Sequence, residues 1–190
     1  MNAAPSRSTA ELEAGLDEIR QAPKEEGAIE MIVRRPAVDQ REVLAEARLD
    51  VAEGLVGDNW RARGSRSMPD GSANPEMQIN VMSARAVARV AAAPDRWSLA
   101  GDQLFLDFDL SVENLPVGTR LALGEAIIEV TAPPHTGCAK FAARFGRDAL
   151  AFVNSPAGKA LRLRGLNARV IQSGTIRTGD RVRKLALSPV

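Results

Sequence analysis

Apolar and polar residues alternate with a period of two along much of the chain. Leu104, Leu106, Phe108 and Leu110 alternate with Gln103, Phe105, Asp107 and Asp109, as in a strand with one buried face. From Ala28, Ile29, Met31 and Val33 alternate with Glu30, Ile32 and Arg34. Glu42 to Ala52 reads as a second strand, with Val43, Ala45, Ala47, Leu49 and Val51 on one face. Met77 to Met82 is another. Arg120 to Leu123 and Ala126 to Ala132 form a hairpin about Gly124-Glu125. Leu166 to Gln172, Thr175-Ile176 and Arg181 to Lys184 are short strands punctuated by Gly174 and by Gly179-Asp180.

A helical period intervenes near the start. Ser8-Thr9-Ala10-Glu11 reads as a capping box, and Leu12, Leu16 and Ile19 follow as a narrow apolar stripe. This predicts a helix over Thr9 to Gln21 that clamps onto the domain surface, after a loose Met1 to Arg7. A charged linker follows, Pro23 to Gly27. A second helix is predicted over Ser83 to Ala93, capped by Ser83 and ended by Pro94. Gly54 to Asp58 is a turn, and Arg61 to Glu76 reads as a long exposed loop. The expected fold is mainly β with peripheral helices (α+β), the short strands closing into a barrel that leaves no exposed edges.

The length of 190 residues fits one domain with a short appendage. The 25 basic residues nearly balance 24 acidic ones, and aromatics make up 4% without a tyrosine, so a strongly basic or base-stacking nucleic-acid binder is not expected. One cysteine cannot form an internal disulfide, a four-cysteine zinc site or an iron–sulfur cluster. No run approaches the roughly 20 apolar residues that span a bilayer, and Met1 to Pro23 lacks the apolar block of a secretory signal. The expected location is the cytoplasm, with no membrane partner.

The sharpest chemistry lies in Ala132-Pro133-Pro134-His135-Thr136-Gly137-Cys138-Ala139-Lys140-Phe141, which leaves the strand Ile127 to Val130 through two prolines. Thr136 is a plausible N-cap, Phe141 and Phe145 are four apart, and Gly146 can end the helix. Cys138 then falls in the first helical turn, where unpaired N–H groups favour an anion. Lys140, Arg144 and Arg147 add positive charge. This field would lower the thiol pKa from about 8.5, to below about 7.5. Such a thiolate suits a soft metal or a nucleophile's role.

Blander readings compete. Lone cysteines are often packed, inert small hydrophobes. His135 and Cys138 are half of a zinc site, but two carboxylates would have to complete it. A Cys–His hydrolase pair needs the imidazole against the sulfur. Asp107 and Asp109 share a strand face and could form a metal or acid–base pair, or simply face solvent. Arg162, Arg164 and Arg169 suit phosphate or a solvated surface. Gly54 to Asp58 lacks the lysine and length of a P-loop.

The ordered set of segments carries more than any one of them. It runs Gly-Leu-Val-Gly-Asp (54–58), Gln78-Ile79-Asn80-Val81, Gly101-Asp102-Gln103-Leu104, and Leu115 to Leu121 with Gly124-Glu125-Ala126. The turn to Cys138, Gly165 to Val170 and Gly179-Asp180 complete it. In this order they resemble the MOSC domain, the C-terminal domain type of molybdenum cofactor sulfurases, in its stand-alone bacterial form. The chain departs from the family's common Gly-Glu-Asn-Leu at 101–104 and has Asn59-Trp60 where a basic pair often stands. The resemblance implies a barrel domain over 28–185, after a helical extension and linker over 1–27 and before a tail over 186–190. It implies a molybdenum cofactor (molybdopterin) whose metal is held by Cys138. Asp58, Gln103, His135, Lys140, Arg164 and Arg169 are the implied cofactor-binding residues. Implied activities are reduction of an N-hydroxylated small-molecule substrate, with a separate electron-donor protein, or sulfur transfer through a Cys138 persulfide fed by a sulfur donor. A non-catalytic cofactor-binding module is the third. Pyridoxal phosphate binding is a family-level association.

Overall fold

The computed structural model describes residues 6–186. Most of the loose Met1 to Arg7 segment and all but Ala186 of the expected tail lie outside the described residues. The elements, in chain order, begin with α1 (Thr9–Glu13), α2 (Leu16–Arg20), β1 (Glu26–Arg34), β2 (Glu42–Leu44), β3 (Glu46–Asp50), β4 (Gly54–Leu55) and α3 (Trp60–Arg63). Next come β5 (Ile79–Ser83), α4 (Ala84–Ala91), β6 (Leu104–Asp107), β7 (Arg120–Leu123) and β8 (Ala126–Val130). Then follow α5 (Ala139–Phe145), α6 (Arg147–Asn154), α7 (Pro156–Ala160), β9 (Leu166–Gln172), β10 (Gly174–Arg177) and β11 (Arg181–Lys184).

Seven strands close a circuit in the order β1, β11, β7, β8, β9, β5, β6 and back to β1, with β2 attached to the far end of β1. Every neighbour in it is antiparallel except β5 and β6. A parallel pair needs a crossover, and α4 with the 3-10 turn Pro94–Ala100 supplies it. A second sheet, β10-β3-β4, lies beside the barrel.

The barrel interior is filled by the apolar phase of the strands: Ile29, Leu104, Leu106, Leu121, Ile128, Leu166 and Ala168 among others. A second apolar layer lies outside it. Met82, Phe105 and Val33 project outward from β5, β6 and β1 and meet Leu12, Val87, Phe141 and Phe152 from the helices. Phe105 thus falls in the polar phase of its strand yet is fully buried, because helices cover that face of the sheet. Burying a side chain of this size is worth about 1.5–3 kcal/mol.

The predicted N-terminal helix is two short ones. The Ser8–Glu11 capping box forms, and Leu12 and Ile19 are buried. The break falls at Gly15, which packs against Arg89: a Cβ there would overlap the Arg89 side chain. The strand expected over Glu42 to Ala52 is also divided. Its first part joins the barrel and its second the small sheet, so Ala47 and Leu49 are buried while Val43 and Val51 face solvent. The barrel's first strand starts at Glu26 rather than after Gly27. Within the loop expected over Arg61 to Glu76, α3 forms behind buried Trp60. The rest is fastened by Ser65 N–H to Gly71 O (3.3 Å) and Asn74 Nδ2 to Ser67 Oγ (3.0 Å). No helix among the described residues is long and apolar enough to cross a membrane.

Candidate functional site

The chain leaves the barrel at the end of β8 and runs through Pro133 and Pro134 to α5. Two asparagines fasten this turn. Asn167, on β9, donates from Nδ2 to the Pro133 carbonyl at 2.9 Å. Asn154, at the end of α6, accepts from Gly137 N–H at 3.0 Å and donates to Gly137 O at 3.2 Å. Gly137 is thereby fastened, and the helix starts two residues later than the sequence implies. Cys138 is the N-cap of α5 (φ −128°, ψ 179°) rather than part of its first turn, and Thr136 lies outside the helix. Cys138 is free and exposed. The packed cysteine is therefore excluded.

Beside Cys138 lies a cleft of about 230 Å³. Arg35, Arg41, Arg63, Lys140, Arg144 and Arg164 line it, against a single carboxylate, Asp39. Three of these cations are neutralised. Arg35 forms a forked pair with Asp58 (2.9 and 3.0 Å), Arg144 pairs with Asp39 at 3.0 Å, and Arg164 pairs with Asp102 at 2.7 Å. Among the described residues, Arg41, Arg63 and Lys140 have no carboxylate partner. Burial, then neighbouring guanidinium groups, push Arg41 and Arg63 below the ordinary arginine value. The Nε–H groups of Arg41 and Arg164 are buried with no partner. The cleft has cationic donors to spare.

His135 stands where this cleft meets a second one of about 220 Å³ that runs under Trp60 and Met77. Its Nδ1 lies 3.2 Å from Asn80 Nδ2 and its Nε2 lies 3.4 Å from Asp102 Oδ1. The amide nitrogen can only donate, so the network assigns the imidazole proton to Nε2. Burial, with the Arg164 charge beside it, lowers the imidazole pKa to about 4 against the opposing pull of Asp102. The ring is neutral at pH 7.

The other residues implied by the sequence are placed unevenly. Lys140 is exposed on the cleft wall. Arg164 reaches the cleft, but two of its contacts go to Asp102 and one to the Ala100 carbonyl (3.0 Å), and its guanidinium carbon lies 5.1 Å from the Phe141 ring centroid. Asp58 is fully buried and anchors Arg35 instead of lining the cleft. Gln103 is also fully buried; it accepts from Asn80 N–H (2.7 Å) and donates to Gln78 O (3.1 Å), stapling β5 to β6. Arg169 projects from β9 to pair with Glu129 at 2.6 Å and lines none of these spaces. Arg147 begins α6, away from the cleft lining. Asp107 pairs with Arg85 at 2.7 Å, and Asp109, which is buried rather than solvated, accepts from Ser111 N–H. They form no paired site.

Arg35, Arg41, Arg63, Asn80 and Asn154 were missed as site residues. Asn80 carried a signal, since it lies inside the Gln78 to Val81 segment. Its side chain joins Arg35 (2.9 Å), Asn167 (2.6 Å) and His135. Arg35 and Asn154 reach the site only through long-range contacts, which no local spacing encodes.

Among the described residues, no group of three or more His, Cys, Asp or Glu side chains converges as a metal cage. A metal at Cys138 would have to arrive already chelated, with one position open for a soft sulfur donor. An anionic chelate fits the cleft: an exposed thiol at its lip, three unpaired cations and two orphaned N–H donors. The residues present therefore suit a metal–pterin phosphate.

Comparison with known proteins agrees with this architecture. The crystal structure of the YuaD protein from Bacillus subtilis matches with a TM-score of 0.58 at 17% identity, covering 86% of this chain and 97% of that one. The structure of YiiM from Escherichia coli matches with a TM-score of 0.54 at 19% identity, covering 85% and 71%. YiiM from Geobacillus stearothermophilus gives 0.51 at 14%, covering 84% and 73%. These identities speak for the fold alone. No curated protein matches the sequence. The family model for the MOSC domain matches residues 69–183. That span is more than half of the chain and runs from the loop before β5 through the Cys138 turn into the last barrel strand, so the chain belongs to the MOSC domain family.

Proposed function

We propose that the protein binds a molybdenum–pterin cofactor, with the Cys138 thiolate as the protein's ligand to the metal. One observation carries this reading: an exposed thiol on the lip of a cleft with six cations and one carboxylate. Arg41, Arg63 and Lys140 would hold the cofactor's phosphate, since charge-assisted bonds to phosphate are strongest from cations not already committed to a carboxylate. Arg35 and Arg164, fixed by Asp58 and Asp102, shape the cleft wall as neutral pairs and leave the charge to the three unpaired cations. His135, neutral and tied to Asn80 and Asp102, is a fixed uncharged part of the cleft lining. When bound, such a cofactor supplies the redox chemistry for removing oxygen from an N-hydroxylated compound, with electrons from a separate donor protein.

The test is elemental and pterin analysis of protein purified from a host that makes the cofactor. Near-stoichiometric molybdenum and pterin are expected in the wild type. Cys138→Ser should lose molybdenum while remaining folded, and Arg41→Ala with Arg63→Ala should lose pterin. Wild-type protein carrying neither metal nor pterin would refute the reading.

The exposure of Cys138 also favours a second reading, sulfur carriage. Its thiol would take one sulfur from a donor persulfide, leaving the donor as a thiol. Intact mass after incubation with a cysteine desulfurase and cysteine decides it: no added sulfur on Cys138 ends the idea.

A further inference from the structure

A further space at this end of the barrel is neither of the clefts above. It is a chamber of about 460 Å³ on the opposite side of the 131–136 turn, bounded by α7 and the start of β9. Its size falls in the range of small-molecule sites. Pro133, Pro134, Val153 and Leu166 form apolar walls, and half-exposed Val112 stands among the lining residues. The polar side is cationic: Lys159, Arg162 and Arg164 line it, and no described carboxylate does.

Only Arg164 among these has a counter-charge. Lys159 and Arg162 have no carboxylate partner among the described residues. Burial lowers the Arg162 pKa, the mark of a cation drawn out of water without an acid beside it. Arg162 is also one of three described non-glycine residues with positive φ (47°). That conformation is costly for a long side chain and persists where surroundings impose it, often at ligand sites. Here it turns the chain so that Gly165 N–H bonds Arg162 O at 2.7 Å, while the Arg162 Nη1 donates to Leu115 O at 2.6 Å. The same nitrogen lies 3.4 Å from Leu110 O, and Arg162 lines the chamber.

We propose that this chamber binds an organic anion: a carboxylate or phosphate set against Lys159 and Arg162, with an apolar body lying over Pro133, Val153 and Leu166. His135 and Arg164 line both the chamber and the Cys138 cleft, so the far end of such a ligand meets the thiol site. That last connection rests on the cofactor reading above; the binding itself does not.

Calorimetry on the full-length, cofactor-free protein tests it with four probes: phenyl phosphate, benzoate, benzamide and inorganic phosphate. Saturable binding of one molecule per chain is expected for phenyl phosphate or benzoate, the tighter of the two naming the acid group. Benzamide and inorganic phosphate should bind at least about tenfold more weakly, lacking the charge or the apolar body. Lys159→Ala, a change at an exposed side chain, should weaken the aryl anion about tenfold. Arg162→Gln should do the same, its melting temperature confirming the fold. Cys138→Ser should leave affinity unchanged, which separates this site from the cofactor cleft. The proposal is overturned if neither aryl anion binds, or if benzamide or inorganic phosphate binds equally well. It is overturned too if neither cation variant changes affinity, or if Cys138→Ser abolishes binding.

Discussion

Arg164 grips Asp102 through one guanidinium nitrogen, at 2.9 Å from Oδ1 and 2.7 Å from Oδ2. The carboxylate is fully buried and the arginine side chain is 9% exposed. This pair joins the loop before β6 to the start of β9 beneath the Cys138 cleft. It also explains why Arg164 is not a free phosphate ligand.

Removing one partner of a buried pair leaves the other charge uncompensated, which costs about 3–5 kcal/mol. Asp102→Asn should therefore lower the unfolding free energy by that amount in urea titration. Asp102→Asn combined with Arg164→Met should recover part of the loss, because the second change removes the stranded charge.

His135 makes stability depend on pH. Its folded pKa, about 4, lies below the ordinary value of 6.5. The unfolded chain then binds more protons than the native one between these values, so stability falls as pH drops from 6.5 toward 4. The loss from this group reaches about 3 kcal/mol at the lower end. Asp102, Arg164 and Arg35 are the charged groups that act on the ring. Urea midpoints measured between pH 7 and 5 should decline in the wild type and decline less in His135→Gln.

The exposed thiol should react with an aromatic disulfide reagent in the native state at a rate close to that of the urea-unfolded chain. Slow native labelling would contradict the exposure of Cys138. Cys138→Ser should change stability by no more than about 0.5 kcal/mol, as expected of a surface position.

Asn154 holds both polar groups of the Gly137 backbone. Asn154→Ala should cost about 1–3 kcal/mol, the range for leaving a partly buried polar group unpaired. Faster hydrogen exchange at the Gly137 amide, with the β-barrel amides unchanged, should accompany it.

Local periodicity was sufficient for the barrel. The 120–130 hairpin, β9, β10, β11 and the Ser83-capped helix follow from side-chain alternation and turn residues, which are properties of neighbouring positions. So does the placement of Cys138 at a strand-to-helix turn, to within two residues. Where local pattern met long-range packing, packing decided. Gly15 yields to Arg89, Phe105 is buried by helices from elsewhere in the chain, and the 42–52 segment divides between two sheets. The site divides the same way. His135, Cys138 and Lys140 were visible because they are adjacent in sequence. Arg35, Asn80 and Asn154 arrive from three other elements, and a guanidinium's role turns on which carboxylate lies within about 3 Å of it. Asp58 claims Arg35 and Asp102 claims Arg164, leaving Arg41, Arg63 and Lys140 unpaired. That allotment is a matter of distances across the folded chain, so no reading of residue order could have supplied it.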